Sequence, residues 1–209
     1  MATQDVHKNN RAAYKLGLTG SIGMGKSTVA QMFVRQGIPL WDADKAVHEL
    51  YSAGGEAVGL VGDAFPGCVV DNAVSRPLLA PLVVGNEEGI KKLESIVHPL
   101  VITHRRKFLK SIAEQADQKL VVLDIPLLFE THGEDQTDGI AVVSAPQEVQ
   151  QARVLARPDM TPAKFQAILK RQVPDEEKRQ RADFVIDTSV SLEDTQQQVA
   201  IIVSKLQQA

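Results

Sequence analysis

The sequence predicts an α/β fold on a mainly parallel sheet, and three observations point to it. Short, continuously apolar runs recur along the chain, most clearly at Leu120-Val121-Val122-Leu123-Asp124-Ile125 and Gly139-Ile140-Ala141-Val142-Val143. Runs of that length without polar alternation are strands buried on both faces. Helical apolar spacing separates them, which is the alternation that builds a parallel sheet. The first strand also passes through a glycine-rich stretch straight into a helix.

The elements follow in order. Residues 1–11 are polar and carry no apolar stretch of the kind a signal peptide needs, so residues 1–13 are expected to form a disordered tail. Tyr14–Thr19 reads as the first strand. Lys26–Gln36 reads as a helix with Val29, Ala30, Met32 and Phe33 inward, and Gly37 sits where a helix C-cap belongs. Ile38–Trp41 is a short second strand ending at Asp42. From Asp44 to about Gln118 no buried-strand run occurs, and the pattern is helical with breaks at Gly54-Gly55, Pro66-Gly67 and Gly85-Asn86. About 75 residues is too long for a loop, so residues 44–118 are expected to form an inserted helical subdomain. Leu120–Ile125, Gly139–Val143 and Phe184–Asp187 supply the remaining strands. Residues 14–43, 119–149 and 182–209 then make one core. Residues 150–181, interrupted by Pro158, Pro162 and Pro174, form a separate segment.

Composition narrows the class. With 44% hydrophobic and 23% charged residues the chain is ordinary globular material, which excludes a disordered, collagen-like or coiled-coil protein. Cys68 is the single cysteine, so no internal disulfide forms. No run approaches the length of a membrane span, and a cytoplasmic location without membrane association is expected. A net charge of −3 and few aromatic residues weigh against a nucleic-acid partner. Within this acidic chain, Lys91–Lys110 holds six Lys/Arg against one Glu, and Gln150–Arg181 holds eight against four Asp/Glu. Such islands suit a polyanionic small ligand, and they equally describe solvated helix faces with charge pairs.

Gly20-Ser21-Ile22-Gly23-Met24-Gly25-Lys26-Ser27 matches G-x-x-x-x-G-K-[ST] at every fixed position. A chance match in a chain this long is expected in under about 1% of cases. The glycines let backbone N–H groups curl around phosphate, and the following helix adds its positive end. Gly20 to Thr28 are therefore the expected nucleotide-binding residues, with Lys26 on the β- and γ-phosphates and the Ser27 hydroxyl on Mg²⁺. Asp124, at the end of a buried strand, is the expected second group at Mg²⁺, directly or through water. Asp42 and Asp44 close the second strand and are further carboxylates, and each could instead cap the next helix. Arg153, Arg157 and Arg171 are mobile cations that could close over the phosphates. The four-residue spacing of Arg153 and Arg157 puts both on one helix face.

Beyond these residues, the chain resembles the dephospho-coenzyme A kinase family over about Leu16 to Val203. The resemblance rests on Asp42-Ala43-Asp44-Lys45-Ala46, Arg76-Pro77-Leu78-Leu79, Leu93-Glu94-Ser95-Ile96-Val97-His98-Pro99, Asp124-Ile125-Pro126-Leu127-Leu128-Phe129-Glu130 and Ala182-Asp183-Phe184-Val185-Ile186-Asp187. It implies a three-layer P-loop nucleotide-kinase-like fold with about five parallel strands, residues 44–118 as a CoA-accepting domain and residues 150–181 as a lid. It implies transfer of the ATP γ-phosphoryl group to the 3′-hydroxyl of dephospho-CoA, with ATP and Mg²⁺ required. Asp44 is then the base, with Lys26, Arg153 and Arg157 catalytic. Asp44, Arg76, His98, Arg105, Asp124, Leu127 and Glu130 would bind substrate. For His98 the alternative is structural, with His-Pro marking a helix start or kink, since the residue before a proline disfavours helix and a boundary is expected there. Two departures stand out: Ser21 and Met24 replace a frequent Gly and Ser, and Thr188-Ser189-Val190 replaces a frequent Asn-x-Gly. A small P-loop kinase for a nucleoside monophosphate or another metabolite is the alternative. A GTPase is disfavoured because no N-K-x-D occurs. The oligomeric state, monomer or homo-oligomer, is left undetermined.

Overall fold

The structure is a computed structural model and describes residues 12–115 and 117–208. The expected tail falls on residues 1–11, outside the described residues, apart from Ala12 and Ala13. The chain divides into two compact units, one running up to Leu40 and resuming at Ile112, the other Trp41–Ser111.

The first unit carries β1 (Tyr14–Thr19) and α1 (Lys26–Arg35). The boundary falls within β2 (Leu40–Asp42). It resumes with β5 (Leu120–Asp124), a short 3₁₀ turn (Glu134–Gln136) and β6 (Gly139–Ser144). Then come α6 (Gln147–Leu155), α7 (Pro162–Leu169), α8 (Asp175–Gln180), β7 (Phe184–Asp187) and α9 (Leu192–Gln208). The sheet order is β2-β5-β1-β6-β7, with β1 in the centre and β5 and β6 parallel on either side. The alternation expected along the sequence is thereby realised, and each long strand is buried on both faces. On β6, Ala141 and Val143 join Val29, Phe33, Val199 and Ile202 of α1 and α9, while Ile140 and Val142 join Leu128 and Phe129 on the other face. That two-sided burial is why these runs show no polar alternation.

The second unit holds α2 (Ala43–Tyr51), α3 (Val58–Ala64), β3 (Val69–Val70), β4 (Ala73–Val74), α4 (Arg76–Val83) and most of α5 (Glu87–Ala113). Its own core gathers Leu50, Tyr51, Val58, Val61, Phe65, Cys68, Val74, Leu79 and Val97. Two expectations change here. The stretch is not purely helical, because β3 and β4 pair as a small antiparallel hairpin. Its two loop residues, Asp71 (φ 50°) and Asn72 (φ 59°), both take the left-handed conformation that a two-residue hairpin loop demands. The other change is at His98-Pro99, where no boundary occurs and α5 runs through. Proline removes one rung of the helix ladder there, and the flanking turns carry the helix across it; the Thr103 hydroxyl donates to the Pro99 carbonyl at 2.8 Å.

Candidate active site

β1 ends in the centre of the sheet, and its register sets Leu18 beside Asp124 of β5. The glycine-rich loop begins one residue after β1. Gly23 has φ 80°, and a Cβ there would stand 2.4 Å from the Val154 side chain. At Gly20 a Cβ would meet the Val143 carbonyl at 2.6 Å, so neither position admits a larger residue. Ser21 is not among the residues of positive φ, so replacing a glycine costs no backbone strain there. Met24 is buried in the core beneath the loop. The N-terminus of α1 has no side-chain cap, and a helix N-terminus of that kind suits an anion.

Lys26 forms an ion pair with Asp124. Asp124 is only 3% exposed at the end of a strand buried throughout. Ser27 follows Lys26 in the first turn of α1. One hydroxyl and one carboxylate are a donor set that fits Mg²⁺, which keeps several waters and takes substrate phosphate oxygens rather than an all-protein cage. Among the described residues no group of three or more His, Cys, Asp or Glu is arranged to hold a metal ion.

The loop is braced from outside. Ile22, expected among the phosphate-binding residues, donates its N–H to the Gln172 side chain at 3.1 Å, and its carbonyl accepts from Gln150 at 2.8 Å. The Thr188 hydroxyl donates to the Met24 carbonyl at 2.8 Å. Arg153 in turn donates to the Thr188 hydroxyl (2.9 Å) and carbonyl (2.7 Å). Thr188 thus links Arg153 to the loop, a role the sequence did not suggest. Beside it, the Ser189 hydroxyl and N–H hold the Asp187 carboxyl below its ordinary value, against an opposing effect of partial burial. Arg157 departs from expectation, because α6 stops at Leu155 with Ala156 as C-cap. Arg157 therefore lies beyond the helix and does not share a helical face with Arg153. A cavity of about 820 Å³ adjoins Ser21 and Met24 and is lined further by Gln150, Gln172, Asp175 and Arg179.

In the segment after β5, Leu127 is exposed while Leu128 and Phe129 are buried. Glu130, expected to bind substrate, turns inward instead. Its carboxylate accepts the Val173 N–H at 2.9 Å and pairs at 2.8 Å with Lys178, which is fully buried. Glu130 anchors the segment that leads into α8. Breaking a buried pair by removing one partner costs about 3–5 kcal/mol. Lys178→Met is expected to lose stability on that scale in urea unfolding, and Glu130→Gln combined with Lys178→Met is expected to recover part of it.

In the second unit, Asp42 is the N-cap of α2 and accepts the Lys45 N–H at 3.1 Å. Asp44 lies in the first helical turn with an exposed side chain. Arg76 opens α4 and lies over the Tyr51 ring at 5.4 Å. His98 is exposed on α5. Arg105 lies over the Trp41 ring at 5.7 Å, and burial, then the neighbouring Arg106, lowers its pKa from the ordinary arginine value. Trp41 donates its indole N–H to His104 at 3.0 Å, and the other ring nitrogen of His104 meets Glu49 at 2.9 Å. Polar partners of this kind carry no local spacing signal, so sequence reading passed over His104 and Glu49 as it did Gln150, Gln172 and Thr188.

Comparison with known proteins covers nearly the whole chain. Residues 14–194 match the family model described as dephospho-CoA kinase. A curated protein of that name from Brucella melitensis is 52% identical over 191 residues, 91% of this chain and 94% of its own. One from Ruegeria pomeroyi is 53% identical over 193 residues, 92% of this chain and 95% of its own. Among solved structures, a Thermus thermophilus protein superposes with a TM-score of 0.80 at 35% identity, covering 94% of this chain and 99% of its own. A structure titled dephospho-CoA kinase from Campylobacter jejuni gives a TM-score of 0.67 at 23% identity, over 95% of this chain and all of its own, a likeness of fold.

Proposed function

Because the chain belongs to the dephospho-CoA kinase family, we propose that its own residues divide the transfer of a phosphoryl group from ATP to dephospho-CoA as follows. The reaction is ATP-dependent phosphorylation of dephospho-CoA, and the acceptor atom is the ribose 3′-hydroxyl. That oxygen forms the new bond to the γ-phosphorus while the bond to the β–γ bridging oxygen breaks, releasing ADP. The proton of the hydroxyl passes to the Asp44 carboxylate. One observation favours Asp44 over its neighbour: Asp42 is committed to the Lys45 N–H, whereas Asp44 is exposed.

Lys26 and the loop N–H groups hold the transferred group and its charge. Ser27 and Asp124 are the residues that would hold Mg²⁺, which when bound supplies positive charge across the β- and γ-phosphates. Lys26 then exchanges its contact with Asp124 for phosphate oxygen. Arg153 and Arg157 neutralise developing charge from the 150–181 segment, and closure of that segment keeps water from competing as acceptor. Arg76, His98, Arg105 and Leu127 contribute to acceptor binding, with the basic stretch of α5 matching the negative charge of the CoA portion. The reading also places the enzyme in the cytoplasm. No helix among the described residues is long and apolar enough to cross a membrane.

An ADP-release assay tests the acceptor. With ATP and Mg²⁺, dephospho-CoA is expected to turn over and AMP, shikimate and gluconate are not. Turnover with AMP and none with dephospho-CoA would favour a nucleoside monophosphate kinase.

A further inference from the structure

Gln150 and Gln172 belong to the segment after β6, yet both side chains end on one residue of the phosphate loop. Gln150 is 5% exposed and uses its amide N–H on the Ile22 carbonyl, and Gln172 uses its amide oxygen on the Ile22 N–H. Ile22 is therefore gripped on both of its backbone polar groups. It is the second residue of a turn closed by the Met24 N–H on the Ser21 carbonyl at 3.2 Å, and Gly23 at φ 80° is the third. A turn with a left-handed third residue owes its form to the orientation of its central peptide, here the bond between Ile22 and Gly23.

No peptide bond among the described residues is cis. In a trans peptide the C=O and N–H point in opposite directions. Holding the Ile22 carbonyl toward Gln150 therefore turns the Gly23 N–H away from Gln150. Holding the Ile22 N–H toward Gln172 likewise turns the Ser21 carbonyl away, toward the Met24 N–H that it accepts. We propose that Gln150 and Gln172 are positioning residues, Gln150 fixing the direction of the Gly23 N–H and Gln172 that of the peptide before it, so that the loop is pre-shaped for a phosphate. The two glutamines thereby control phosphate affinity through Ile22, without contacting the phosphates themselves. The inference rests on the loop of Gly20–Thr28 binding nucleotide phosphate.

Paired glutamate variants test it. Gln172→Glu keeps an oxygen that accepts the Ile22 N–H. Gln150→Glu has no proton to donate and sets a carboxylate against a carbonyl. Volume and added charge are the same, but Gln150 is buried and Gln172 only partly so, and the neutral Gln150→Met variant separates the lost hydrogen bond from the buried charge. ADP and adenosine affinities are measured by competition on each folded protein, together with the KM values of both substrates. Gln150→Glu is expected to bind ADP about tenfold more weakly than Gln172→Glu. Adenosine should bind all variants equally, and the KM for dephospho-CoA should stay fixed while that for ATP rises. Gln150→Met, which removes the donor without adding charge, should also weaken ADP, and it carries the comparison if Gln150→Glu fails to fold. Equal ADP losses in the two glutamate variants, or wild-type ADP affinity in Gln150→Met, would overturn the proposal. A wild-type protein that binds ADP no better than adenosine would remove its premise instead.

Discussion

Asp44→Asn is expected to lower kcat about 10²–10⁴-fold while ATP and dephospho-CoA still bind. The amide has nearly the shape of the carboxylate but takes no proton, so the loss falls on the chemical step. Asp44 is exposed in the first turn of α2, and the cap of that helix is supplied by Asp42. The fold should therefore tolerate the change, and thermal unfolding of the variant should match wild type closely. The neighbouring carboxylate is the control. Asp42→Ala gives up a cap worth about 1 kcal/mol and should keep its kcat. Single-turnover kinetics beside urea unfolding would separate the two aspartates. If Asp42→Ala lost turnover and Asp44→Asn kept it, their roles would have to be exchanged.

Lys26→Met should be nearly as severe for a different reason. Removing the ammonium that meets the transferring group is expected to cost about 10²–10³-fold in kcat, with weaker ADP binding as well. It also takes a partner from Asp124, a carboxylate with 3% exposure. A stability loss of about 2 kcal/mol is expected, below the range for fully buried pairs because Lys26 keeps some access to water. Asp124→Asn should be milder in urea unfolding, since the ammonium left behind can hydrate and the new amide is neutral. A Lys26→Met protein as stable and as active as wild type would contradict the use of this pair.

What was legible in the sequence had a local period or a fixed spacing behind it. Tyr14–Thr19, the central strand, and Phe184–Asp187, the edge strand beside β6, were bounded correctly because each is a short run of apolar and β-branched residues that stops at a turn. The phosphate loop was readable because the close approach of the Val143 carbonyl at Gly20 and the φ of 87° at Gly25 both call for glycine at fixed positions of the motif. The β3–β4 hairpin was missed because its strands are two residues each, although the Asp71-Asn72 pair was a turn signal in plain view. The continuation of α5 through Pro99 was missed because local propensity argues for a break that the rest of a 27-residue helix overrides. The inward placement of Glu130 was not legible for another reason. Its destination, Lys178, lies far along the chain, and no spacing rule announces a buried ion pair of that kind. The same holds for the grip of Gln150 and Gln172 on Ile22.

Trp41, described above for its indole N–H on His104, is also the chain's one tryptophan, and it belongs to the Trp41–Ser111 unit. Its emission is an optical tag that nature has placed in one half of the molecule. Fluorescence follows the surroundings of Trp41 in β2, whereas far-ultraviolet circular dichroism follows helices in both. Overlaying the two denaturation curves asks, without any labelling, whether the halves unfold as a single cooperative body.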